Sequence, residues 1–176
     1  NSAEWIAREY GLTRQELDEY AVGSHGKAIA AMQAGKFKAE IVPFKVPQRK
    51  GTPRIFDTDE CPRTDTSTEA LARLPPAFQE GGMITAGNSP GITDGAAAVV
   101  IMGEDIASAL GIHPVARITG YDQAAVEPLR IFTAPIFAVQ KLLRKTGYRL
   151  ADIDLIEINE AFAAQAVANG KALGVD

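Results

Sequence analysis

Asn159 and Glu160 are the residues best placed to do chemistry, because they lie where an apolar strand-like segment meets a helix-like one. The segment 154–158 reads DLIEI, as a buried strand should, and 161–173 is rich in small helix formers. In α/β proteins such a junction lies at the carboxyl end of a sheet, where ligands usually bind. An asparagine amide donates hydrogen bonds without changing protonation, which suits holding a water or stabilising charge on a carbonyl oxygen. The alternative is that Asn159 caps the helix, since asparagine is favoured at N-caps.

A second candidate is the glycine-rich segment 87–95, which reads GNSPGITDG. It has neither the Lys-Ser/Thr tail of a P-loop nor the spacing of a dinucleotide-binding fingerprint. Phosphate binding by this segment is therefore not expected. Its glycines would let the backbone approach a thin ligand, or would simply build turns.

Local patterns predict the elements that position these segments. Capping-box spacing at Asn1/Glu4 and Thr13/Glu16 predicts two helices in the first 45 residues, the second over about 14–34. His25, in the second helix, has no companion at metal-ligand spacing, so we expect a solvated or core-edge side chain. Residues 47–65 form a long loop of mixed charge, and a short capped helix starts at Thr66.

Residues 94–176 have the pattern of a regular α/β structure. Strands at 96–102, 114–121 and 154–158 alternate with helices at about 104–110, 133–146 and 161–173. Such alternation predicts a sheet covered by helices.

Two motifs in these segments resemble those of the thiolases, the enzymes that make or cleave 3-ketoacyl-CoA thioesters. Residues 159–165, NEAFAAQ, resemble the NEAF motif of that family, and residues 85–98, TAGNSPGITDGAAA, resemble its TAGN and DGAAA segment. Residues 40–44 and 76–78 are similar as well, so the resemblance covers essentially the whole chain. It implies a thiolase-like layered α/β fold, with a helical, CoA-binding loop domain at 1–93. Residues 94–176 would be the first half of the C-terminal domain, an incomplete mixed sheet with covering helices.

The resemblance also implies roles for individual residues. Asn159 would be a catalytic amide that acts through a bound water as part of an oxyanion hole. Contacts to CoA would come from Arg63, Phe78, Ala86, Gly87, Ser89, Pro90, Ala161 and Phe162. The partners would be CoA and acyl-CoA, with no covalently bound cofactor and no metal. Members of the family assemble as homodimers or homotetramers.

This sequence departs from the family pattern at two CoA-contacting positions. Cys61 stands where the family often has an aromatic residue two positions before the nucleotide-contacting arginine, here Arg63. Pro90 stands where the family usually has a serine whose hydroxyl meets a pantetheine amide. Either Ser89 substitutes from one position away or that contact is lost.

The groups that thiolases use for covalent catalysis are not found in this sequence. The family takes its nucleophile from an N-terminal cysteine and its acid and base groups from downstream histidine and cysteine motifs. Cys61 is a poor substitute, because acidic Glu60 beside it raises the pKa of the thiol. The chain is similar to a central segment and is expected to be inactive by itself. Two alternatives remain: a non-catalytic thiolase-like subunit that binds CoA or lipid, and a general α/β domain without a CoA role.

Composition bounds the class of protein. The net charge of −4 argues against nucleic-acid binding, and a hydrophobic content of 46% is that of an ordinary soluble globular protein. No apolar run approaches the roughly 20 residues of a membrane span, and no charged leader opens the chain. A single cysteine excludes an internal disulfide and a multi-cysteine metal site, and favours a reducing, cytoplasm-like compartment.

Overall fold

The computed structural model describes residues 1–175, which divide into two compact units. The first unit joins residues 1–91 to the described residues from 158 onward, and the second is Ile92–Glu157. The helices are α1 Ser2–Glu9, α2 Arg14–Gln33, α3 Thr68–Ala72, α4 Glu104–Ala109, α5 Ala134–Thr146 and α6 Ala163–Leu173. The strands are β1 Phe44–Val46 and β2 Arg54–Phe56, and short 3₁₀ helices cover Pro128–Thr133 and Leu150–Asp152.

The core of the first unit forms where α6 packs against α1 and α2, and α3 also packs against α2. Ile6 and Leu17 are fully buried between these helices. The buried face of α6 is mostly alanine, and small side chains let its backbone come close to its neighbours. The consequence is that residues 85–91 and the motif at 159–165 lie in the same packed helical unit.

Helix starts in this unit follow the predicted pattern only in part. Thr13 and Glu16 form the predicted capping box, in which the Thr13 N–H donates to Glu16 Oε2 at 2.7 Å. The predicted box at Asn1 is wrong, because Asn1 makes no side-chain cap and Glu4 turns into the protein instead. The cap of α3 is Ser67 rather than the predicted Thr66, one position further along the chain.

The mixed sheet predicted for residues 94–176 is not present among residues 1–175. Segments 96–102, 114–121 and 154–158 carry no strand pairing there. Their apolar side chains are exposed, as the 86% exposure of Val100 and 90% exposure of Leu155 show. A strand exists only where a neighbouring strand accepts and donates its backbone hydrogen bonds, and these segments have no such neighbour in the described residues.

The sheet that does form is an antiparallel hairpin in which Lys45 pairs with Ile55. It occupies part of the predicted 47–65 loop, and Gly51, with φ of 90°, lies in its turn. In the second unit, α4 and α5 form close to the predicted bounds, and α5 ends as expected at Gly147 with φ of 76°. Across residues 1–175, every helix is too short or too polar to cross a membrane.

Candidate functional site

Asn159 lies in the segment that leads into α6, and it does not cap that helix. The N-cap position belongs to Phe162, and the helix itself starts at Ala163. The Asn159 backbone oxygen accepts the N–H of Ala161 at 2.9 Å, which turns the chain just before the helix. Within residues 1–175 its side-chain amide makes no hydrogen bond and is exposed. The amide is therefore available to a ligand, and the alternative that Asn159 caps the helix is wrong.

Two hydrogen bonds fix the start of α6 beneath this amide. The side chain of Gln165, 3% exposed, turns back so that its Oε1 accepts the Ala161 N–H at 3.1 Å. The N–H of Ala163 donates to the backbone oxygen of Asn88 at 3.1 Å. Helix N-termini leave their first N–H groups without intrahelical partners, and here the N–H of Ala163, the first residue of α6, is satisfied. The second bond links the Asn159 joint, which is residues 159–162 before α6, to the glycine-rich segment.

The glycine-rich segment is itself held by a buried polar network that starts on α2. Asn88 Nδ2 donates to Asp18 Oδ1 at 3.0 Å and to the backbone oxygen of Met83 at 3.0 Å. The other carboxylate oxygen of Asp18 accepts from Arg14 Nε at 2.7 Å. Asp18 and Asn88 are each 3% exposed. Most buried polar groups in proteins are hydrogen-bonded, and in this network the side chains of Asp18 and Asn88 both are.

Glu4 supplies a second anchor for the chain entering this segment. Its buried carboxylate accepts the N–H of Met83 at 3.1 Å and of Ile84 at 2.9 Å. Gly82 lies so close that an added Cβ would come within 2.3 Å of Glu4 Oε1. The sequence assigned Glu4 to a helix cap, but its role is to fix residues 82–84.

The predicted CoA-contacting residues of the glycine-rich segment have distinct environments. Gly87 packs against α3 so closely that a Cβ would come within 2.4 Å of Leu71 Cδ2. Ser89 is half-buried, and its hydroxyl donates to the backbone oxygen of Thr85 at 2.6 Å. Ala86 and Pro90 are exposed. The Ser89 proton is thus used within the loop, and only the oxygen of that hydroxyl remains as an acceptor for a ligand.

Phe78 and Phe162, both predicted to contact CoA, are brought together. Their rings meet edge to face, with centroids 6.2 Å apart and an interplanar angle of 68°. Such pairs are attractive because the ring edge is positive and the ring face negative. Phe78 is nevertheless 52% exposed, so the pair forms a partly open aromatic wall beside the start of α6.

Arg63 lies on the loop that faces α2, where its backbone N–H donates to His25 Nδ1 at 3.2 Å. Its guanidinium makes a two-pronged ion pair with Asp65, through Nε at 3.1 Å and Nη2 at 2.9 Å. This pairing raises the pKa of Arg63 and lowers the pKa of Asp65. His25, within α2, is half-buried, as expected of a core-edge side chain, and it accepts a hydrogen bond that the sequence did not indicate.

Cys61 is exposed, and its environment disfavours the thiolate. A hydrogen bond and the charge of Asp59 raise the pKa of the thiol, and Glu60 adds a smaller effect. The direction agrees with the prediction from sequence, although the principal cause is Asp59 rather than the adjacent Glu60. A thiol whose pKa is raised is a weak nucleophile near neutral pH.

Several residues that build the site were missed because their partners are remote in sequence. Asp18, Tyr20 and Ser24 carry no local pattern that distinguishes them from ordinary helix residues. Asn88 and Gln165 were part of the matched segments without being assigned a role. The one available signal was the polar residue Asp18 beside Leu17, where α2 faces the core.

The chain belongs to the thiolase family. Residues 1–105 match the family described as thiolase, N-terminal domain, and residues 112–176 match thiolase, C-terminal domain. Within this family its relatives include acetyl-CoA acetyltransferases. Those of Pseudomonas aeruginosa and Escherichia coli K12 are 51% and 52% identical to it over 175 residues, 99% of this chain.

Solved structures give the same result. The Bacillus anthracis acetyl-CoA acetyltransferase matches 99% of this chain with a TM-score of 0.93 and 44% identity. Human mitochondrial 3-ketoacyl-CoA thiolase matches 99% of it with a TM-score of 0.92 and 39% identity. The fold is therefore a thiolase-like fragment, mostly helical with a small two-stranded sheet. The chain spans 44% of the length of each of these four relatives.

Proposed function

We propose that a full-length thiolase carrying this chain transfers acyl groups between CoA thioesters, by thiolysis or Claisen condensation of 3-ketoacyl-CoA. In this proposal the chain contributes part of the CoA-binding surface and an oxyanion-stabilising amide, Asn159, which acts through a bound water. The names of its relatives, acetyl-CoA acetyltransferase and 3-ketoacyl-CoA thiolase, support the reaction class.

The observation that carries the proposal is the state of the Asn159 amide. It is exposed, and the backbone around it is fixed by Gln165 and by Asn88. A preorganised donor stabilises developing negative charge without reorganising at the moment of reaction. Losing one such donor lowers kcat by about 10²–10³-fold in enzymes that depend on it.

The test is steady-state thiolysis of acetoacetyl-CoA by the full-length enzyme and its Asn159→Ala variant. We expect kcat to fall by about 10²-fold, while the Kd for CoA stays unchanged because the amide acts on the reacting carbonyl. Unchanged kcat would refute the role of Asn159. A large rise in Kd with unchanged kcat would instead make it a binding residue.

Arg63 supports the CoA-binding part of the proposal. Guanidinium binds phosphate in the same two-pronged geometry that it now shows with Asp65. Both side chains are well exposed, and exposed ion pairs contribute little net stability, so a phosphate can replace the carboxylate at small cost. Asp65 then competes with the nucleotide phosphate for the Arg63 guanidinium.

Substitution of that competitor tests this step. Asp65→Asn frees Arg63 and is expected to tighten CoA binding by about 2- to 5-fold in calorimetric titration, in line with the weak net strength of exposed pairs. Asp57→Asn is the matched control, because it removes the same charge from the same loop without touching Arg63. Equal tightening in both variants would mean that general repulsion, and not competition for Arg63, limits affinity.

A second candidate function is a non-catalytic thiolase-like subunit that binds CoA or lipid. The environment of Ser89 favours it, because this hydroxyl donates within the loop and Pro90 offers no donor, so the pantetheine loses a partner. CoA binding without thiolysis in the full-length protein would support this candidate over the enzyme. Absence of CoA binding would refute both.

A further inference from the structure

The carboxylate of Glu160, adjacent to Asn159, is bound at both oxygens by hydroxyl groups of α2. Tyr20 Oη donates to Glu160 Oε1 at 2.6 Å, and Ser24 Oγ donates to Oε2 at 2.7 Å. Tyr20 and Ser24 are four residues apart, so they lie on the same face of the helix. Two donors on two oxygens fix both the position and the rotation of the carboxylate.

Both contacts are short hydrogen bonds to a carboxylate, and the Glu160 residue that accepts them is itself exposed. Burial raises the pKa of the Tyr20 phenol, and the hydrogen bond to Glu160 raises it further, so the phenol remains a proton donor. The pairs also join positions 140 and 136 residues apart in the chain. The clamp formed by Tyr20, Ser24 and Glu160 therefore holds the Asn159 joint to α2, which a local turn cannot do.

The clamp acts on the same backbone from which the Asn159 side chain projects. On one side Glu160 is held to α2, and on the other the Ala163 N–H is held by the Asn88 oxygen. Between them lie only Ala161 and Phe162. The carbonyl of the peptide that joins residues 159 and 160 also accepts the Ala161 N–H at 2.9 Å, so this peptide has little freedom to rotate.

We propose that Glu160 is a positioning residue, which holds the joint against Tyr20 and Ser24 so that the exposed Asn159 amide keeps one direction toward the reacting carbonyl. This inference rests on the proposed function of Asn159. Displacement of a catalytic group by about 1 Å can cost 10²-fold in rate, so a clamp that prevents such drift affects turnover without contacting substrate.

The test compares Glu160→Ala with Glu160→Gln in the full-length enzyme. We expect Glu160→Ala to lower kcat by about 10- to 100-fold with the Kd for CoA within 2-fold of the wild type. Glu160→Gln keeps one acceptor oxygen, and its NH₂ group can donate to the hydroxyl oxygen of Tyr20 or Ser24, so this variant is expected to recover most of the lost kcat. Glu157→Ala, which removes an exposed carboxylate three positions away, is the control and is expected to leave kcat unchanged. An equal loss in Glu157→Ala would overturn the inference.

A double-mutant cycle separates this inference from the role of Asn159 itself. If Glu160 acts through Asn159, adding Glu160→Ala to Asn159→Ala causes no further loss of kcat. Independent, multiplicative losses would overturn the inference, and so would full kcat in Glu160→Ala when Asn159→Ala is impaired. Unchanged kcat in Asn159→Ala would overturn the proposed function of Asn159, and the positioning role with it.

A further pair of variants guards against misfolding of Glu160→Ala. Tyr20→Phe keeps the ring and removes one donor, and Ser24→Ala removes the other. Each alone is expected to give a smaller loss of kcat than Glu160→Ala, and the two together are expected to approach it. Full activity of the combined variant would overturn the positioning role.

Discussion

Replacement of Asp18 by asparagine tests whether the buried network on α2 holds the glycine-rich segment. The carboxylate accepts from Asn88 Nδ2 through Oδ1 and from Arg14 Nε through Oδ2. An amide offers one oxygen, so its NH₂ group must face one of these two donors without an acceptor between them. One hydrogen bond to a charged group is lost, which costs about 1.5–3 kcal/mol. Asp18 is 3% exposed, so water cannot readily replace the lost partner.

The Arg14 side chain is 25% exposed, which limits the loss below the roughly 3–5 kcal/mol of a fully buried ion pair. We therefore expect Asp18→Asn to lower the free energy of unfolding by about 2–3 kcal/mol. Urea unfolding of this chain, followed by the fluorescence of its single tryptophan, Trp5, measures this value. Glu19→Gln, on the exposed face of α2, is the matched control and is expected to change stability by less than about 0.5 kcal/mol.

Hydrogen exchange measures whether the loss of stability in Asp18→Asn extends to the candidate site. The Ala163 N–H is bound to the Asn88 oxygen, so Asp18→Asn is expected to speed its exchange more than that of amides in the middle of α6. A loss below about 0.5 kcal/mol, or an equal loss in Glu19→Gln, would refute the role of the network in stability. Unchanged relative exchange at Ala163 would refute its role in positioning α6.

Two further outcomes follow from single contacts. A hydrogen bond from Lys171 on α6 is the largest of the effects that lower the pKa of Glu16 from 4.5 to about 2. Because this carboxyl is more acidic in the folded state, the pair stabilises the fold above pH 4.5 and that contribution is lost as the pH falls toward about 2. Glu16→Gln should therefore flatten Tm against pH across that window, and an unchanged slope would contradict the assignment. Gly87→Ala, whose Cβ would overlap α3, should cost about 1–3 kcal/mol in urea unfolding, whereas Gly95→Ala, with open space around it, should be nearly neutral.

Local sequence signals account for the parts of the fold that depend on neighbouring residues. The Thr13 capping box forms because its two partners are three residues apart. The end of α5 at Gly147 follows from the left-handed backbone that glycine adopts at low cost. Whether the predicted strands in 94–176 form a sheet could not be inferred in the same way. An apolar pattern indicates a strand without identifying the neighbouring strand with which it must pair. Val100, for example, lies in an apolar segment typical of a buried strand, but it is 86% exposed.

The candidate site could also be predicted only in part. The motif around Asn159 identified a residue whose amide is exposed. The domain boundary at residue 93 and the assigned site roles stay predictions. What the sequence could not supply was the set of contacts that hold the site. Glu4 had the spacing of a helix cap, yet its carboxylate binds backbone N–H groups about 80 residues away. No local pattern distinguishes a charged side chain directed outward from one directed into the core.

Polar residues along α2 hold three separate parts of the candidate site. The buried residues of this helix are Leu17, Asp18 and Ala21, so a charged residue lies on its buried face. Asp18 holds the glycine-rich segment, Tyr20 and Ser24 hold Glu160, and His25 holds the backbone of Arg63. The first and last of these anchors, Asp18 and His25, are seven positions apart, about 10.5 Å at 1.5 Å per residue. A single helix therefore sets the spacing between the Asn159 joint, the glycine-rich segment and the Arg63 loop, and polar residues take positions on it that packing alone would have given to apolar ones.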